Sequence, residues 1–168
     1  MAKLLFVAYG GGHVTMLIPV AQRAFEHGHE VIFLGLTTAQ AVLAQAGIAH
    51  IGFADLWNFA APEARRYGRQ LAAQLQHGGP VPLAESEAYL GISFADLVAT
   101  QGEDAATRAF ADLGRRSFLP VGFLERVIAH LRPAIVVATN SPRAEQAAIL
   151  AAGRLDVLSL CLVDLFAL

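Results

Sequence analysis

The stretch Leu4-Leu5-Phe6-Val7-Ala8-Tyr9-Gly10-Gly11-Gly12-His13, then residues 14–27, then Gly28-His29-Glu30-Val31-Ile32-Phe33-Leu34, decides the fold. A continuous apolar run such as 4–8 suits a strand buried on both faces. Three glycines follow it directly. Leu17, Ile18, Ala21, Ala24 and Phe25 then recur at helical spacing, and Gly28 stops the helix. A second apolar run completes a right-handed strand–helix–strand unit that starts a parallel sheet.

The glycine turn is where chemistry is expected. Without a Cβ, Gly10, Gly11 and Gly12 let a ligand approach the backbone closely. The helix behind them aims unbonded N–H groups and the positive end of its dipole at the same spot, which attracts phosphate or carboxylate. His13 stands at the start of that helix, and its ring can face the same crevice.

The chain has 168 residues, 55% of them apolar, and a net charge of −2. This length suits one domain with a sizeable core. The charge argues against an extended nucleic-acid surface. The single cysteine, Cys161, lies in an apolar run and is expected to be an inert core residue. One cysteine excludes a disulfide framework and a cysteine zinc site. No apolar run reaches the roughly 18 residues of a membrane span.

Further along, the spacing predicts a short helix over 39–45 with Thr37 or Thr38 as its cap, and a third strand over 48–51. Loop 52–61 holds Trp57, Phe53 and Phe59, which either fold back on the core or line an acceptor pocket. A helix is expected over 62–77, with Arg65, Arg66 and Arg69 on one side. These form a solvated face or a basic patch for an anionic membrane surface or phosphorylated acceptor. Gly78-Gly79-Pro80-Val81-Pro82 reads as a loop. Weak helices over 85–90 and 94–100 precede a longer helical region over 103–131, broken near Pro120 and Gly122. Segment 62–131 is thus a helical insertion. The sheet resumes at 133–138. Ser141 and Pro142 then signal a helix over 143–152, and a fifth strand follows at 157–163. The expected fold is a Rossmann-like, doubly wound parallel α/β sheet of about five or more strands with a helical insertion in the middle.

In such a sheet, ligands bind beyond the carboxyl ends of the strands, near the point where strand order reverses. The glycine turn, His13, Asn140 and Ser141 are expected to meet there. A dinucleotide fingerprint is not met: Thr15 stands at the third glycine position, and no acidic residue ends the second strand. No Gly-Lys-Ser/Thr follows the turn, which excludes a P-loop. His27 and His29 flank a helix-ending glycine and the carboxylates do not cluster, so no metal site is expected. A neutral imidazole at a helix N-terminus suits a general base, and His13 is the candidate. Asp55, Asp96 and Asp164 are the candidates for its orienting partner.

Gly11-Gly12-His13, a helix carrying Pro19, and Gly28-His29-Glu30-Val31 entering the second strand resemble the N-terminal half of GT-B glycosyltransferases. The similar families are the UDP-glycosyltransferases and the lipid-linked glycosyltransferases with Gly-Gly-His turns. The resemblance extends over 141–163 and leaves the middle helices unmatched. Pro19 lies further past His13 than in those families.

The resemblance implies transfer of a sugar from a nucleotide-sugar donor to a hydroxyl acceptor, with His13 as the base and no bound cofactor. It implies that this domain holds the acceptor. A second domain, on a longer chain or on a partner subunit, would hold the donor nucleotide, and this chain alone would not catalyse transfer. Surface polysaccharide or glycolipid synthesis in the cytoplasm, with peripheral contact at the inner membrane face, is the expected setting. The apolar tail 164–168 predicts a homodimer through that end. The alternatives are half of a sugar-nucleotide 2-epimerase, which would need charged groups such as Asp55 and Asp164 at the strand ends, and a non-catalytic Rossmann-like binding module.

Overall fold

In the computed structural model, which describes residues 1–75 and 79–163, the strands are β1 (Lys3–Ala8), β2 (Glu30–Gly35), β3 (Ile135–Thr139) and β4 (Leu158–Leu162). All pair in parallel, in the order β2-β1-β3-β4. Alternate side chains of the central strand go to opposite faces, as the strand period of two requires. Phe6 and Ala8 pack with α1 (Gly11–Glu26) and α2 (Ala39–Gln45) on one face. Leu5 and Val7 join the larger core on the other face. That face carries α6 (Val121–Leu131) and α7 (Ala144–Arg154), and the sheet is doubly wound.

The third strand predicted at 48–51 is reduced to one parallel bridge between Leu34 and Ile51. Ile51 exchanges two backbone hydrogen bonds with β2 and its end, at 2.9 and 3.0 Å. The Gly52 N–H then donates to the Asp55 carboxylate at 2.8 Å, which curls the chain into a 3-10 turn at Phe53–Asp55 and takes it off the sheet. The sheet therefore has four strands among the described residues.

The insertion holds α3 (Ala64–Ala72), α4 (Leu83–Gln101), α5 (Glu103–Leu113) and α6. Two weak helices were expected where α4 runs unbroken through Gly91. Packing overrides propensity here. Gly68 and Gly91 sit at the α3–α4 contact, and a Cβ on Gly91 would run into the Ala64 carbonyl oxygen and the Gly68 backbone. Gly91→Ala is expected to lower unfolding stability by about 3 kcal/mol, because backbone cannot yield as a side-chain tip can. Urea unfolding measures this, and an unchanged midpoint would contradict the contact. The region 103–131 breaks at Gly114, which takes φ +56°, as well as before Pro120, while Gly122 lies inside α6.

Two core assignments are corrected. Phe25 is 72% exposed, because the buried stripe of α1 runs through Val14, Leu17 and Ala21 instead. Cys161 is exposed, since β4 is an edge strand with little packed on it among the described residues. Leu158 and Leu160 on the same strand are 71% and 50% exposed. No helix among the described residues is long and apolar enough to cross a membrane.

Candidate site at the carboxyl edge of the sheet

The sheet order puts the turns after β1 and β3 side by side, with the turn after β2 on the other flank of β1. Helix α1 starts inside the glycines, with Gly10 as its cap and His13 in its first turn. Thr38, expected to cap α2, instead accepts the Gly11 N–H at 3.1 Å. The N–H groups of Gly12 and His13 find no acceptor among the described residues. His13 is half-buried beside Gly10.

None of the expected aspartates is described at this turn. Asp55 caps Gly52, on the far side of β2. Asp96 is buried between α4 and α6, where it accepts the Gly122 N–H at 3.2 Å and lies 3.8 Å from the Arg126 guanidinium. Asp164 lies outside the described residues, as does the tail 164–168. The carboxylate under the glycine turn belongs to Glu145, in the first turn of α7. Its Oε1 accepts the Tyr9 N–H at 2.8 Å, and its Oε2 is buried with no hydrogen-bond partner among the described residues. Burial pushes the Glu145 carboxyl above its ordinary range. The Tyr9 N–H and the nearby His13 charge pull the other way.

That shift has a sign for stability. Just above the ordinary carboxyl value of 4.5, folded Glu145 keeps a proton that the unfolded chain has lost. Its contribution to stability therefore falls as pH rises from there through the raised value. Glu145→Gln is expected to flatten the dependence of the urea midpoint on pH above the ordinary carboxyl value of 4.5, relative to the parent. Equal slopes would remove Glu145 as the source.

Helix α7 begins later than Ser141 and Pro142 suggested. Arg143 occupies the cap position in a strained backbone conformation, φ +73° and ψ −114°. Ser141 is buried, and the exposed Asn140 is pinned by its N–H donating to the Leu162 carbonyl at 3.2 Å. The Arg143 guanidinium lies 4.9 Å from the centre of the Tyr9 ring and donates to its hydroxyl at 3.4 Å. Burial opposes the Arg143 charge, but the Tyr89 and Tyr9 phenols outweigh it and its pKa is raised. A second strained residue, Thr37 at φ +48°, stands at the same edge of the sheet. Such strain costs of order 1–3 kcal/mol and clusters at functional sites.

Glu85, buried in the first turn of α4, holds Thr37 in place. Its carboxylate accepts the N–H groups of Thr37, Phe53 and Ala54 at 2.9, 3.1 and 2.9 Å. It thereby ties the turn after β2 and the 3-10 turn to the insertion. Between these parts lies a cavity of about 470 Å³ lined by Tyr9, Thr37, Thr38, Leu75, Tyr89 and Arg115, among others. The Tyr9 and Tyr89 ring centres are 5.1 Å apart. Tyr89 is 3% exposed, and its hydroxyl has no hydrogen-bond partner among the described residues. Trp57 does not line this cavity. It is half-buried against the core with the Arg65 guanidinium 4.4 Å from its ring centre.

Glu145, Glu85, Tyr89, Arg115 and Arg143 were not singled out from the sequence. A carboxylate in the first turn of a helix that starts at the binding edge was the available signal for Glu145.

No protein-family model matches the chain, and no curated protein matches it. Among solved structures, the chain is similar to the spinosyn rhamnosyltransferase SpnG, at 14% identity and a TM-score of 0.46 over 97% of this chain and 34% of that one. SpnG complexed with thymidine diphosphate gives 15% and 0.48, over 99% of this chain and 36% of that one. SpnG complexed with spinosyn aglycone gives 16% and 0.46, with the same shares covered. The chain spans only about a third of the length of these structures.

Proposed function

We propose that this chain is the acceptor-side domain of a glycosyltransferase that moves a sugar from a nucleotide-sugar to a hydroxyl acceptor, in surface polysaccharide or glycolipid synthesis. The observation that carries this reading is His13 in the first turn of α1, at the glycine turn; the cavity on the β2 side is lined by Tyr9 and not by His13. In the proposed reaction, His13 takes the proton of the acceptor hydroxyl as its oxygen attacks the anomeric carbon. The bond from that carbon to the nucleotide's phosphate oxygen breaks, and the nucleotide leaves with the bonding pair. Asp55 is engaged as a cap, which leaves the epimerase alternative without that charged group at the strand ends.

The donor nucleotide is assigned to a second domain or a partner subunit. Equilibrium dialysis of this chain against UDP-sugars tests the division of labour. The expected result is negligible binding, and tight binding by this chain alone would contradict it. The exposed Leu158, Leu160 and Val163 at the β4 edge are where a second copy is expected to add, because an open apolar edge strand pairs readily. Sedimentation should show a dimer that weakens on Leu160→Lys. A monomer at high concentration would contradict this.

A further inference from the structure

We propose that the molecule held in the cavity between the β2 turn, α3 and α4 is an anionic acceptor, a small ring-bearing phosphate or carboxylate whose charge is read by Arg115. This rests on the acceptor-side reading above and names the chemical class of that acceptor.

Charge comes first. Among the described residues, Arg115 is the one formally charged side chain lining the cavity, and no carboxylate lines it. Arg115 has no ion-pair partner among the described residues. Its guanidinium carbon lies 5.9 Å from the Tyr89 ring centre. Glu85 accepts from three backbone N–H groups, and Glu145 from the Tyr9 N–H. Arg143 rests on Tyr9, a second cation at a ring that lines the cavity. A guanidinium matches the fork of a carboxylate or phosphate and binds it with charge-assisted hydrogen bonds.

The rest of the wall supplies a place for a ring. Tyr9 and Tyr89 offer aromatic surface, with Ala72, Leu75, Val81 and Leu83 beside them. A volume of about 470 Å³ suits a small organic molecule.

Phenyl phosphate is a probe that joins a ring to a dianion, with phenol as its uncharged control. Binding of both to the full chain at low salt is read from NMR shift titrations. Phenyl phosphate is expected to bind at least about tenfold tighter than phenol. Arg115→Ala should remove that difference. Arg115 lies on an exposed 3-10 turn, so the variant should keep the parent's circular dichroism.

Arg116→Ala, next in the chain and outside the cavity lining, should change neither. Equal binding of the two probes, no phenyl phosphate binding at millimolar concentration, or equal losses in the Arg115 and Arg116 variants would overturn the proposal. Displacement of phenyl phosphate by UDP would assign the anion to the donor and overturn it as well. None of these readouts requires sugar transfer, and all but displacement by UDP leave the glycosyltransferase reading standing.

Discussion

Replacing His13 by alanine is expected to lower sugar transfer by the complete enzyme by about 10³-fold, with folding retained. The magnitude follows from the role. A positioned general base contributes roughly 10²–10⁴ to rate, and the alanine variant would lose the group proposed to take the hydroxyl proton. Folding should survive, because His13 is only half-buried and lies in a first turn whose backbone is set by Gly10 and Thr38. The loss should appear in kcat with KM little changed, since the cavity wall is made by other residues. Turnover at the parent's rate would remove the base assignment.

Glu85→Ala is expected to cost about 4 kcal/mol of unfolding stability, because three buried backbone N–H groups lose their acceptor at once. Leaving one such group unsatisfied costs about 1–3 kcal/mol. The same change should free Thr37 from its strained φ and loosen the β2 side of the cavity. Denaturant unfolding gives the stability. Native-state amide exchange should show the largest loss of protection at Thr37, Phe53 and Ala54. A loss below about 1 kcal/mol would mean that water replaces the carboxylate without penalty. Glu85→Gln should retain part of the stability, since one amide oxygen remains to accept.

The glycine turn and the unit around it were legible because each local signal agreed with the next. The apolar run, the three glycines, the helical spacing to Ala21 and the stop at Gly28 all pointed to one unit. The sheet order follows from that unit and from the later runs at β3 and β4. The third strand expected at 48–51 did not form. Ile48 and Ile51 look like strand residues, but Asp55 takes up the Gly52 N–H and turns the chain away. The unbroken α4 was hidden for the opposite reason. Gly91 reads as a helix breaker, yet its missing side chain is what lets α3 approach.

The start of α1 in the glycine turn was legible, and the groups packed around it were not. Ser141 and Pro142 carried strong start signals, but the helix is entered through a strained Arg143, whose guanidinium is spent on Tyr9. Such a choice depends on a ring that is far away in sequence. Glu145 and Glu85 occupy equivalent positions, in first turns of helices facing the carboxyl edge, and each serves backbone N–H groups across the crevice. Neither partner is near in the chain. Cys161 and Phe25 were placed by residue type, and their exposure is decided by which neighbours cover them.

The central claim is sugar transfer to a hydroxyl, and product analysis tests it most directly. The protein as its own cell makes it, together with whatever carries the donor domain, is incubated with nucleotide-sugars and a hydroxyl-bearing extract from that cell. Mass spectrometry then follows both the nucleotide and the sugar. The account predicts that free nucleotide appears only when the extract is present, and that the sugar is recovered bonded to an oxygen of an extract component. Recovery of the nucleotide-sugar with no nucleotide released, whether unchanged or with its C2 configuration inverted, would contradict it.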